Sequence, residues 1–146
     1  MNCKHPIYDY QDTLNCLLGD KELFMKEKQK TEHLWRTEKY NVLWHNHKSY
    51  LYIRELLKDD ASYPVVETEI KIALKTPTTK SNVINAADHM WGYFKKRASF
   101  EEKTHYLELK SAFKNDEKGE EVLRLFLKKL AHQYQIQYLI ESTILK

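Results

Sequence analysis

A chain of 146 residues is long enough to bury one core without metal or disulfide staples, and it offers no length for several domains. A formal charge of +3, with the seven histidines neutral, is too small to imply nucleic acid by itself. Three Gly and three Pro among plentiful Leu, Lys and Glu exclude a turn-rich sheet protein. The composition predicts an all-α fold, a compact single-domain bundle of about five to six helices joined by short connections. Cys3 and Cys16 form no CxxC pair, and no signal peptide or membrane-length apolar run is visible. A cytoplasmic protein with reduced thiols is therefore expected. Cys3-Lys4-His5 resembles a fragment of a metal site, but too few ligands lie nearby, and neither metal nor cofactor is expected.

Residues 1–33 read as an N-terminal extension and the start of a first long helix, and 34–146 as the helical domain proper. Thr13 to Leu18 suits a short helical stretch ended by Gly19, with Asp20 capping the next helix. From Lys21 to about Lys58 no Pro or Gly interrupts, so one long helix is expected, or two with a bend near Lys30. Asp59 to Pro64 ends it, since proline disfavours helical geometry in its predecessor and cannot continue the ladder. Val65 to Lys75 is a short helix with Val66, Ile70, Ala73 and Leu74 inward. Thr76-Pro77-Thr78-Thr79 is a second break, and a Thr or Ser there caps a helix running on to Arg97. Ser99 and Glu102 form an S-x-x-E capping box. The helix they open reaches about Lys114, with Phe100, Tyr106, Leu107, Leu109 and Phe113 as packing candidates. Asn115 to Gly119 is a polar turn. Glu120 to about Tyr134 is the most apolar helix, carrying Val122, Leu123, Leu125, Phe126, Leu127 and Leu130. Gln135 to Leu145 begins helical.

The stretch Asn82 to Arg97 organises the functional reading. At about 100° per residue, Asn82, Asn85, His89, Tyr93 and Lys96 fall within an arc of about 80°, while Val83, Ala87, Met90 and Phe94 take the opposite side. A merely solvated face is more simply built from Glu, Lys and Gln. The row is therefore either an internal polar network or a binding surface. Lys71 to Arg97 holds six basic residues and one acid, Asp88. Lys95, Lys96 and Arg97 suit phosphates, and Asn85, His89 and Tyr93 suit sugar or base, which makes these six the candidate nucleic-acid-binding residues.

A second segment, Glu38 to Glu55, is apolar or aromatic on two sides, as expected of a central helix. Trp35, Val42, Leu43, Tyr50, Ile53 and Leu57 form one face, into which Lys39 and Asn46 project, and Tyr40, Trp44 and Leu51 form another strip. Lys39, Tyr40, His45 and Tyr50 make a further candidate polar site. His45 and His89 suit acid–base chemistry if they meet across two helices. No recognisable nucleophile, phosphate loop or H-E-x-x-H accompanies them, so no catalytic residue is assigned. Three roles are expected as alternatives. The first is a non-catalytic RNA-binding domain. The second is a small enzyme or ligand-binding protein using His45 and His89. The third is a structural or interaction protein in which Asn85, His89, Tyr93, Lys39 and Asn46 form one buried network.

The order of several motifs resembles a known family. W-x-x-E-K-Y-x-V-L-x-H spans Trp35 to His45 and is followed by Tyr50. Then come T-P-T at Thr76 to Thr78, N-x-x-x-H-x-x-G-Y-F-K-K from Asn85 to Lys96, Glu102-Lys103 and Tyr138-Leu139. Together, over roughly Leu34 to Leu145, they are similar to the bacterial YbgA-like domain of unknown function. In many members that domain is fused to a desulfidase acting on thiouracil or thiolated tRNA bases. The resemblance implies a domain that helps hold tRNA, with a desulfidase-type protein as partner. The desulfidase uses several cysteines around an iron–sulfur cluster. Both cysteines here lie outside the resembling region, so that activity is not carried over.

Overall fold

A computed structural model describes residues 10–146. The described residues form seven α-helices and a closing 3-10 turn. The helices are α1 (Tyr10–His45), α2 (His47–Lys58), α3 (Tyr63–Lys75), α4 (Lys80–Trp91), α5 (Phe100–Lys114), α6 (Glu121–Gln133) and α7 (Gln137–Ile140), and the 3-10 turn is Thr143–Leu145. The fold is all-α, as the composition implies, with more helices than expected. None of the helices is long and apolar enough to cross a membrane. The candidate metal fragment at Cys3 and His5 lies outside the described residues, and Cys16 is not a free thiol, contrary to the expected reduced state.

The helix boundaries differ from the expected ones at three places. Gly19 and Asp20 do not punctuate the chain, and α1 passes through both. The break falls at Asn46 instead of near Lys30. Asn46 adopts an extended backbone (φ −157°, ψ 109°), and its side-chain oxygen accepts from the backbone N–H of Lys48 (3.0 Å) and Ser49 (3.4 Å). It therefore caps α2 rather than entering the apolar face. The last segment adds α7, a single turn.

The other starts obey the sequence cues. Pro64 sits in the first turn of α3, the Thr79 hydroxyl accepts from the Asn82 N–H, and Ser99 and Glu102 complete a reciprocal capping box. The ends of α2, α5 and α6 share one device. Asp60, Asp116 and Gln135 stand in the left-handed region at φ 53°, 59° and 53°. Each is followed by an N–H that reaches back five residues: Ala61 to Leu56 (3.0 Å), Glu117 to Ala112 (2.9 Å) and Ile136 to Ala131 (2.9 Å). These are Schellman closures made without glycine.

The second half of α1 is the hub, packing against α2, α3, α4 and the closing 3-10 turn. Its Tyr40, Leu43 and Trp44 join Val83, Ala86, Ala87, Met90 and Phe94 with the inner faces of α5 and α6 in the larger core. Val42 joins Ile53, Val66, Ile70 and Ala73 in a smaller one, and Tyr50 packs against both. Leu74 is only half-buried, at the edge of the smaller core. The C-terminal turn is tied to α1 through Thr143, whose hydroxyl donates to Glu38 Oε2 (2.8 Å) and accepts from Asn41 Nδ2 (3.2 Å). Three residues expected to pack inward face solvent: Phe100 (83% exposed), Leu107 and Leu125. Tyr106, Leu109 and Phe113 form the buried face of α5, and Leu123, Phe126, Leu127, Leu130 and Ala131 that of α6.

Candidate nucleic-acid interface

The apolar side of α4 is buried as its periodicity demands, with Val83, Ala86, Ala87 and Met90 inside. Its polar side does not continue to Lys96, because the helix ends at Trp91 with Gly92 as C-cap. From there the backbone tightens into turns, with Tyr93 N–H bonded to Met90, Phe94 to Trp91 and Arg97 to Phe94. Phe94 is fully buried and plugs this segment into the core, beside Trp91, which stacks on Tyr106 (4.5 Å, 17°). An anchored turn thus presents Tyr93, Lys95, Lys96 and Arg97, and the last three are exposed. None of these three cations has a carboxylate partner among the described residues. Arg97 lies over the ring of Tyr134 (4.9 Å), which is held by a 2.6 Å bond from its hydroxyl to Glu102. The Ser99 N–H and Tyr134 bonds hold the Glu102 carboxyl below its ordinary range.

Tyr93, 39% exposed, points towards α1. Its hydroxyl shares a 3.0 Å hydrogen bond with that of Tyr40, and its ring stacks on Tyr138 of α7 (6.2 Å, 15°). Tyr40 meets Tyr138 edge-on. Burial, then the bond to Tyr93, pushes the Tyr40 phenol well above its usual range, so Tyr40 stays neutral. Lys39 lies over both the Tyr40 (5.0 Å) and Tyr138 (5.4 Å) rings, and Arg36 over Tyr138 (5.3 Å). Lys39 and Tyr40, expected in a separate site, therefore adjoin Tyr93.

The remaining candidates are spread out. His89 is exposed. Asn85 is half-buried, its Nδ2 enclosed without an acceptor among the described residues. His45 donates from Nδ1 to the Thr76 carbonyl (2.8 Å), and its own carbonyl accepts from Asn82 Nδ2 (3.2 Å), so it clamps the α3–α4 connection to α1. His89 lies two turns beyond Asn82, about 10 Å along the axis, and no contact links the two imidazoles among the described residues. Tyr50 packs at a tilt against Trp35 (5.6 Å, 32°) and adjoins His47. The five residues considered for one buried network do not form it, since Asn46 caps α2 and His89 faces solvent. Asp88, the lone acid of the basic stretch, accepts from the Tyr106 hydroxyl (2.7 Å) and from Lys110 (2.8 Å), bolting α4 to α5. Its charge is thereby matched within the protein. Arg36, Tyr134 and Tyr138 join the site although sequence reasoning misses them. Arg36 is detectable as the i−3 neighbour of Lys39 on one helix face, and Tyr138 is signalled only as part of the Tyr138-Leu139 motif, whereas Tyr134 carries no local signal.

Geometry and fold define an all-α helical domain that displays a basic turn beside a tyrosine cluster. The chain belongs to the family described as "Protein of unknown function (DUF1722)", whose model matches residues 39–146. This is the YbgA-like family that the motif order resembles. No curated protein and no solved structure matches the chain. The matched segment contains the whole basic turn and its tyrosines, and Trp35 and Arg36 precede it.

Proposed function

We propose that this domain binds RNA without acting as an enzyme. The observation that carries the reading is the turn Tyr93 to Arg97, where three solvated cations without carboxylate partners among the described residues come after a half-exposed tyrosine ring. A cation already paired within the protein gains little from a phosphate, whereas an unpaired one releases the phosphate's counterion at no internal cost. Tyr93 offers a ring face for an unstacked base and His89 a hydrogen-bonding edge. The buried Phe94 holds the turn's geometry, which lowers the entropy lost on binding. The family resemblance makes tRNA the RNA to test first and a desulfidase-type protein the partner to seek. A binding role also suits His45, whose ring is committed to a backbone carbonyl.

Filter binding of bulk tRNA between about 50 and about 200 mM salt tests the proposal. Three phosphate contacts lower the affinity about 20- to 40-fold over that range. Lys95→Ala/Lys96→Ala/Arg97→Ala should reduce the log–log salt slope by about two to three. An affinity indifferent to salt, or to the triple substitution in a folded variant, rejects the reading.

A further inference from the structure

Beside the tyrosine cluster, reaching Lys39 and Tyr138 but lined by no residue of the basic turn, lies a cleft of about 460 Å³. We infer that it is a binding site for a small planar aromatic monoanion, with the ring between Trp35, Leu57 and Ala61 and the anionic group on Lys39. The volume falls within the range of small-molecule sites, and the walls supply apolar and aromatic faces. Lys39 supplies the polarity. It is half-buried, it lies over two tyrosine rings, and it makes no ion pair among the described residues. A partly desolvated ammonium held against ring faces gains more from a ligand anion than a solvated surface lysine does.

The other charges of the cleft limit the ligand to one negative charge. Lys28 is matched by Asp60 (3.7 Å) and Arg36 by Glu141 (3.4 Å). Glu27 and Glu32 line the cleft towards its other end, with Glu27 about 18 Å from Lys39 along the helix axis. A single anion placed at Lys39 avoids that end, while a long polyanion would run into it. The cleft borders the tyrosine cluster through Arg36, Lys39 and Tyr138 but includes none of the turn's three cations, so the inference does not depend on the RNA reading.

Isothermal titration of the full chain with 2-naphthoate, and with uncharged 2-naphthalenemethanol, tests the inference. The acid should bind at least about ten-fold more tightly than the alcohol, the scale of one charge-assisted hydrogen bond. Lys39→Met should bring the acid down to the alcohol's affinity and leave the alcohol's unchanged, which also shows that the variant is folded. Ala61→Phe, which fills the cleft, should weaken both. Equal binding of acid and alcohol, a Lys39→Met variant that still prefers the acid, or indifference to Ala61→Phe would overturn the site. So would dilution heats of a self-associating chain without naphthoate saturation, because a second copy would then occupy the groove.

Discussion

The two halves of α1 have the same secondary structure and opposite surroundings. From Thr31 onwards one side of the helix packs against its neighbours, and Val42 and Trp44 are fully buried. From Thr13 to Lys30 most residues are exposed, yet Leu14, Leu17, Leu18, Phe24 and Met25 share an arc of about 120°. An apolar stripe at helical spacing therefore says which way a helix would pack, and tertiary structure decides whether anything meets it. The family model begins at Lys39, within the buried half.

Substitutions along and around α1 sharpen this contrast, beginning with the most damaging. Trp44→Ala removes a fully buried indole and should cost about 3–5 kcal/mol, read as the loss of denaturation midpoint. That is a large part of a typical domain's stability. Asp88→Ala should cost about 1–3 kcal/mol in urea titration, since it strands the buried Tyr106 hydroxyl and frees Lys110. Asn46→Ala should cost about 1 kcal/mol, the worth of an N-cap, with some loss of helical ellipticity at the α1–α2 break. Leu17→Ala, on the solvated half, should stay within about 0.5 kcal/mol. A distinctly larger loss at Leu17 would mean that the stripe is covered in solution, and the contrast between the halves would fail.

Features written in local chemistry are legible in the sequence. Pro64, Thr79 and the Ser99–Glu102 box act within one turn of their own position, so the helix starts they define fall within a residue or two of the expected ones. Sequence reasoning misleads where a residue has more than one use. Gly19 has the composition of a stop but sits inside α1, whereas Asn46, between two histidines in an otherwise unbroken pattern, is the true break. A face through Tyr93 and Lys96 requires one helix to run on to Arg97, and Gly92 ends it first. The tyrosine cluster draws on α1, the turn after α4, and α7, with Tyr40 and Tyr93 separated by 53 positions. No periodicity spans such a gap, so only the packed chain brings them together.

The glycine-free helix endings have a consequence for how the protein can change. At Asp60 and Asp116 the side chain also reaches another segment, pairing with Lys28 (3.7 Å) and Lys80 (2.8 Å). Glycine at either place would relax the backbone and at the same stroke untie a distant helix, so local comfort and long-range cohesion pull against each other. Gln135 has no such tether among the described residues. It is the corner where the chain is free to be re-punctuated.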